Sequence, residues 1–176
     1  MGRLENKVAL ISGGSRGMGA VEAEMFANEG AHVVIADILE NEGRKTASKI
    51  AATGARCLFK RLDVLQASDW KAAVGTAISA FGKLDILVNN ARAIIGKDRV
   101  PVWELDESEW QHFLNINLTA VYLTIKFTAP HMIERGKAGR IINTASDASK
   151  RGKATSSPHS PTHFGIPRLA PCPPLH

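Results

Sequence analysis

The sequence predicts an α/β domain built on a doubly wound parallel sheet with helices on both faces. Five short runs rich in Val, Ile and Leu alternate with longer segments of helical periodicity. Strands of a parallel sheet are buried on both faces and are therefore apolar throughout, whereas the crossovers between them are helical. At 176 residues the chain is long enough for one domain with a sizeable core.

The elements are expected in strict alternation. Strands are predicted at 7–12, 31–37, 56–63, 84–90 and 139–146. Helices are predicted at 20–30, 39–54, 67–82 and 106–136. Because consecutive strands are joined by helices, we expect them to pair in parallel.

The composition changes after Asp147. Six of the eight prolines lie at or after Pro158, and Pro161 and Pro167 would each break the interior of a helix. We therefore divide the chain into a folded domain at 1–147 and an irregular, Pro-rich tail at 148–176.

The distribution of charge argues against nucleic acid as a partner. Four Lys and Arg residues follow Asp147, which leaves 18 Lys and Arg against 17 Asp and Glu in residues 1–147. The tail thus carries +4 of the net charge of +5, and the folded part has no basic stripe. Without an 18-residue apolar run, a signal-peptide pattern or a disulfide framework, we expect a cytoplasmic protein with no membrane span.

A glycine-rich turn follows the first strand and opens the first helix. Glycines allow the backbone to turn tightly and to approach a diphosphate, towards which the helix points its N–H groups and the positive end of its dipole. Alone such a turn could be a flexible loop, but its place between strand and helix is typical of dinucleotide binding. The expected contacts are Gly13, Ser15, Arg16, Gly17, Met18 and Gly19.

Asp37, at the end of the second strand, bears on the choice of cofactor. A carboxylate there accepts hydrogen bonds from the adenosine ribose hydroxyls and repels a 2′-phosphate, which favours NAD over NADP. Two alternatives stay open: Arg16 could pair with that phosphate, or Asp37 could be a surface residue that caps the next helix.

The spacing Gly13–x3–Gly17–x–Gly19, together with NNA at 89–91, resembles the short-chain dehydrogenase/reductase family over residues 4–166. The resemblance implies a Rossmann-type fold that lacks the family's last strands. It implies that Asp63 and Val64 hold adenine, and that Asn90 and Ala91 lie along the cofactor. Asn117 would hold a helix bend and a relay water, and Ser146 would bind the substrate oxygen. Each of these residues could alone have an ordinary structural role.

In that family a Tyr–x3–Lys pair follows the serine, and here the aligned positions hold His159 and His163. Imidazole can exchange protons near neutral pH, but it is shorter than phenol and lacks the steady charge of lysine. Tyr122 and Lys126 have the same spacing but precede Ser146. The two histidines could also form a metal pair, although no third ligand is evident and we expect no metal.

The resemblance implies an NAD(H)-dependent oxidoreductase that interconverts a small-molecule secondary alcohol and its ketone. Arg92 replaces the glycine that usually completes NNAG, and the catalytic pair is altered, so we expect activity to be weak or lost. The alternatives are an NAD-binding pseudoenzyme and a truncated product without function. The family also implies a homo-oligomer formed through the long helix 106–133.

Overall fold

A computed structural model describes residues 2–93, 100–136, 139–146 and 162–166. Within them five strands form one sheet in the order β3-β2-β1-β4-β5, and every pair of neighbours is parallel. The strands are β1 (Val8–Ser12), β2 (His32–Asp37), β3 (Cys57–Arg61), β4 (Ile86–Asn89) and β5 (Arg140–Asn143). The prediction of a doubly wound parallel sheet is confirmed.

The helices of the described residues connect these strands. They are α1 (Gly17–Asn28), α2 (Glu40–Ala51), α3 (Ala67–Phe81), α4 (Glu107–Leu114) and α5 (Ala120–Glu134), with a short 3-10 turn at Val102–Glu104. Among these helices none is both long and apolar enough to cross a membrane.

Alternate residues of the strands build two cores, one on each face of the sheet. Ala9 and Ile11 of β1 belong to the cluster that α1 and α2 cover. Val8 and Leu10 belong to the cluster that α3 and α5 cover, which also holds the fully buried Trp70. This two-sided burial explains why the strands are apolar without alternation.

The helix predicted as one piece at 106–136 is divided. Residues Asn115–Thr119 form a π-helical segment that links α4 to α5. A π-helical turn contains one residue more than an α-helical turn. This difference is too small to alter the spacing of apolar residues visibly, so the periodicity of the sequence could not predict the π segment. Such segments occur frequently at functional sites, and this one carries Asn117.

Part of the predicted irregular tail is helical. Residues 162–166 form one helical turn in which Thr162, His163 and Ile166 are buried. A Cβ added at Gly165 would lie 2.8 Å from Cδ1 of Leu118, so the turn packs against the π segment. Proline is tolerated next to a helix end, and the prolines of this stretch flank these five residues rather than interrupt them. The rest of 148–176 lies outside the described residues.

Candidate cofactor and active site

A pocket of about 630 Å³ opens where the carboxyl ends of four parallel strands meet. Most of its walls come from the residues that end or directly follow β1, β2, β3 and β4. The lining residues are Gly13, Arg16, Gly17, Met18, Asp37, Ile38, Leu39, Leu62, Asp63, Val64, Asn90, Ala91, Arg92, Ala93, His112 and Ile116. In open α/β sheets, ligands bind at this edge, beside the point where the order of strand connections reverses.

Three glycines shape the first turn. Gly17 has a φ of +58°, and a Cβ there would contact nothing within 4 Å. Glycine is therefore favoured at this position by the backbone conformation and not by a lack of space. Gly13 has a φ of +67°, and a Cβ there would lie 2.7 Å from the Cα of Ala91. A Cβ at Gly19 would overlap the carbonyl oxygen of Gly13, which means that α1 packs directly against the turn.

The N-terminus of α1 borders the pocket. Arg16 is its N-cap residue in an extended conformation, and Gly17 and Met18 open the first turn on the pocket wall. The first amides of a helix lack partners within it and carry the positive end of the dipole. This end of the pocket therefore suits an anion such as a diphosphate.

Asp37 lines the pocket and is held in place by the backbone. Its two carboxylate oxygens accept hydrogen bonds from the N–H groups of Ser15 and Leu39, each at 3.1 Å. An ionised carboxylate accepts more than these two bonds, so acceptor capacity remains for a ligand hydroxyl. Asp37 thus also stabilises the loop before α2, although Leu39 rather than Asp37 is the N-cap residue.

Ser15, expected to contact the cofactor, is buried and is not among the lining residues. Its hydroxyl donates to the carbonyl oxygen of Leu39 at 3.2 Å, and its own carbonyl accepts from the hydroxyl of Thr46 at 2.8 Å. Ser15 therefore joins the glycine turn to α2, and through Asp37 it orients a residue that does line the pocket. Gly19 is likewise buried behind the lining.

Asp63 and Val64 line the pocket beyond the end of β3. The Asp63 carboxylate accepts from the N–H of Leu65 at 3.0 Å, while its own N–H donates to Asp69 at 2.9 Å. The carbonyl of Val64 accepts from the indole N–H of the buried Trp70 at 2.9 Å. These bonds end β3 two residues earlier than predicted and present both residues to the pocket.

Ser12 organises the wall formed by Asn90 and Ala91, a role that the sequence analysis missed. Its hydroxyl oxygen accepts from the N–H groups of Asn90 and Ala91, each at 3.3 Å, and the hydroxyl donates to the carbonyl of Val88. The side-chain amide of Asn90 donates to the carbonyl of Gly13 at 3.1 Å. The sequence did contain a signal for this role, because Ser12 is the one polar residue of β1 and stands at its end.

Asn117 connects three parts of the site. Its side-chain oxygen accepts from the N–H of Ala93 on the pocket wall at 2.9 Å, and its side-chain amide donates to the hydroxyl of Thr162 at 3.3 Å. Both Asn117 and Thr162 are buried. The π segment thereby holds together the loop after β4 and the helical turn 162–166.

Of the three remaining residues expected to be catalytic, the structure describes two. Ser146 is half-buried and lies three residues beyond the end of β5, and His163 is buried in the helical turn. Neither is among the described residues that line the pocket. His159 lies outside the described residues.

Tyr122 and Lys126 pair with each other on α5. The Lys126 ammonium lies 5.7 Å from the centroid of the Tyr122 ring, which is half exposed, and neither residue lines the pocket. In the part of the chain that the structure describes, no three His, Cys, Asp or Glu side chains cluster closely enough to hold a metal ion.

A dinucleotide fits this donor set. The glycine turn leaves room for backbone approach, α1 offers amide donors, and Asp37 offers acceptors for ribose hydroxyls. The volume lies within the range of about 300–1,000 Å³ that ligand pockets usually have.

Two known proteins with similar sequences are dehydrogenases. The chain is 43% identical over 173 residues to trans-4-hydroxycyclohexanecarboxylate dehydrogenase of Sinomonas cyclohexanicum, covering 95% of this chain and 65% of that protein. It is 43% identical over 165 residues to 3-alpha-(or 20-beta)-hydroxysteroid dehydrogenase of Mycobacterium tuberculosis, covering 94% of this chain and 61% of that protein. The chain thus spans less than two thirds of the length of these relatives.

Solved structures show the same fold. A short chain dehydrogenase/reductase from Burkholderia phymatum in complex with NAD superposes with a TM-score of 0.89 and 29% identity, covering 96% of this chain and 59% of that one. Carveol dehydrogenase from Mycobacterium avium in complex with NAD gives the same score, identity and coverage of this chain, and 65% of its own chain is covered. The model of the short chain dehydrogenase family matches residues 7–172. The chain belongs to the short chain dehydrogenase family.

Proposed function

We propose that the chain binds NAD(H) in the pocket at the carboxyl ends of its strands and acts on a secondary alcohol or its ketone as a slow oxidoreductase. The observation that carries the proposal is the convergence of the glycine turn, Asp37, Asp63 and Asn90 on one pocket. The NAD complexes of the two structural neighbours support it.

NAD is the preferred cofactor over NADP because of Asp37. A 2′-phosphate on the adenosine ribose would meet the carboxylate, whose negative charge repels it. Arg16 also lines the pocket, but it is the N-cap residue of α1, where a diphosphate is the nearer anion.

The bound cofactor supplies a hydride acceptor for alcohol oxidation, and the chain supplies orientation and proton transfer. By family resemblance Ser146 donates a hydrogen bond to the substrate oxygen, and Asn117 supports a proton relay. Asn117 already fixes the pocket wall through Ala93. His159 is the residue that would take the proton of the alcohol.

The substrate is a cyclic secondary alcohol. The relatives named above are dehydrogenases of a hydroxycyclohexanecarboxylate and of a hydroxysteroid, and a further relative, 41% identical over 145 residues, is a dichlorocyclohexadienediol dehydrogenase of Sphingobium indicum. All three names include a hydroxyl group on a ring, and the steroid dehydrogenase's name also includes the side-chain hydroxyl at C20.

Turnover is slow because of the two histidines. His163 stands at the position of the family's lysine, yet it is buried and is not a lining residue of the described pocket. An imidazole there is shorter than lysine and lacks its steady positive charge, which in the family holds the nicotinamide ribose and lowers the pKa of the proton donor. The same observation favours a second candidate function, an NAD-binding module without turnover.

Exposed apolar side chains on α5 support self-association through 106–133. Tyr122 and Ile133 are 50% and 65% exposed on this helix. Sedimentation velocity of the purified chain should show a dimer, and Tyr122→Lys should shift it to the monomer.

The test of activity is an NAD-dependent oxidation assay with a panel of cyclic secondary alcohols. We expect slow NADH formation by the wild type and faster formation by the double variant His159→Tyr, His163→Lys, because this change restores the proton donor and the cation. NADH affinity is measured on both proteins. Binding without turnover in either protein would favour the binding module, and no binding in either would refute both candidates.

A further inference from the structure

Arg92 is a cation on the pocket wall that the proposed NAD site does not use. Its side chain is exposed, and it lines the pocket directly after Ala91. Among the described residues, no carboxylate or carbonyl group forms a hydrogen bond or ion pair with its guanidinium. A guanidinium carries a delocalised positive charge and presents five N–H donors in a planar arrangement.

The backbone on both sides of Arg92 is anchored. The N–H of Ala91 donates to the hydroxyl of Ser12 at 3.3 Å, and the N–H of Ala93 donates to the side chain of Asn117 at 2.9 Å. Arg92 therefore emerges from a fixed point between the glycine turn and Asn117.

The acidic residues of the pocket do not neutralise this charge. Asp37 accepts from two backbone N–H groups, and Asp63 accepts from the N–H of Leu65. Neither forms an ion pair with Arg92. An unpaired cation on a concave surface raises the local concentration of anionic ligands.

In the proposed function the diphosphate of the dinucleotide would lie at the N-terminus of α1, beside Arg16. Arg92 lines the same pocket one residue beyond Ala91, and the next residue, Ala93, bonds Asn117, which the proposed function assigns to the proton relay. The planar guanidinium matches a carboxylate through two parallel hydrogen bonds. We propose that Arg92 binds a carboxylate of the substrate, so that the substrate class is a cyclic secondary alcohol bearing a carboxylate. This inference rests on the proposed function for the shared pocket.

The experiment measures binding and does not require turnover. Cyclohexanecarboxylate, which has no hydroxyl group to oxidise, and the neutral cyclohexanecarboxamide are each titrated into the chain by calorimetry, with and without saturating NADH. The proteins are wild type, Arg92→Gln, Arg92→Lys and Lys45→Gln, the last being an exposed cation of α2 outside the pocket. NADH affinity is measured separately for each protein.

We expect the wild type to prefer the carboxylate over the amide by about tenfold, the size of one charge-assisted hydrogen bond. Arg92→Gln should abolish the preference, Arg92→Lys should keep part of it, and Lys45→Gln should leave it unchanged. If NADH does not bind the wild type, the proposed function fails, and Arg92-dependent carboxylate binding without NADH still supports this site.

Three results would overturn the inference. The wild type could show no preference for the carboxylate, with or without NADH. The preference could persist in Arg92→Gln. Finally, Arg92→Gln could weaken NADH binding while the carboxylate and amide bind alike, which would assign Arg92 to the diphosphate.

Discussion

The three glycines of the first turn look alike in sequence but meet different physical demands. Gly17 needs a positive φ, and a Cβ there would meet nothing within 4 Å. Gly19 needs space, because a Cβ would overlap the carbonyl oxygen of Gly13 and lie 2.5 Å from the side-chain nitrogen of Asn90. Gly13 combines both demands, with a φ of +67° and a Cβ position 2.7 Å from the Cα of Ala91. We therefore expect a substitution at Gly19 to act through steric overlap alone and one at Gly17 through backbone conformation alone.

Gly19→Ala should lower the free energy of unfolding by about 2 kcal/mol and weaken NADH binding, because overpacking forces α1 away from the turn. Gly75→Ala in α3 is the matched control, since a Cβ there has open space. Within a helix this change should raise stability by about 0.5–1 kcal/mol. Urea denaturation of both variants measures the difference, and equal stability of the two would contradict the steric argument.

The sequence could predict individual contacts only in part. The glycine turn, Asp37, Asp63, Val64, Asn90 and Ala91 were expected at a cofactor site, and all the residues of this set except Gly19 and Ser15 line the pocket. Ser15 and Gly19 support the lining from behind, and Ser12 was missed. The roles of Ser15 and Ser12 depend on hydrogen bonds between residues about 20 to 80 positions apart in the chain, which one sequence does not reveal.

At the scale of elements, the apolar runs correctly predicted the five strands. The segment 106–136, predicted as one helix, instead forms α4, the π segment and α5. The π segment turns Asn117 inward, where it bonds both Ala93 and Thr162. The helical turn 162–166 was also unexpected, since its five residues carry too little periodicity to predict a helix between prolines.

Asn117→Ala should destabilise the fold by about 1–3 kcal/mol, because the buried N–H of Ala93 loses its acceptor. Asn115→Ala is the control from the same π segment. Among the described residues its side chain accepts one hydrogen bond, from the exposed Gln111, so its loss should cost less than about 0.5 kcal/mol. Hydrogen exchange should show faster exchange of the Ala93 amide in the first variant alone. Unchanged exchange there would argue against this anchoring role.

At the scale of the whole molecule, Asp85 ties the start of the sheet to the end of α5. One carboxylate oxygen accepts from the N–H of Val8, and the other accepts two hydrogen bonds from Arg135, each at 3.1 Å. Burial raises the pKa of Asp85, but the hydrogen bonds from Val8, Lys83 and Arg135 outweigh burial and leave the pKa lowered. Asp85 therefore contributes stability in its ionised form.

The lowered pKa of Asp85 predicts how stability depends on pH. Its contribution is present above about pH 4, the pKa of an unfolded aspartate, and is lost as the pH falls through the lower folded value. Asp85→Asn should lower the free energy of unfolding at pH 7 by about 2 kcal/mol. Below pH 4 the variant should lose less stability than the wild type. Parallel pH profiles of the two proteins would contradict this account.

His32 makes the free energy of unfolding depend on pH in a second, less acidic range. Burial, followed by the charges of Arg56 and Lys83, lowers its pKa in the folded protein. Protonation then favours the unfolded chain, so stability should begin to fall as the pH drops below about 6.5. His32→Gln should remove this first decline, measured by thermal unfolding between pH 7 and 5, whereas a decline that persists in the variant would exclude His32 as its cause.

The central claim is that the pocket binds NAD(H) and that the Asp37 carboxylate accepts hydrogen bonds from the adenosine ribose. Calorimetric titration with NADH tests this claim most directly. The wild type should bind NADH saturably and more tightly than NADPH, whereas Asp37→Asn should weaken NADH binding by about tenfold and narrow the gap to NADPH. Glu42→Gln, an exposed acid of α2, is the charge control and should bind as the wild type does. A wild type that is folded by circular dichroism and binds no NADH would contradict the claim.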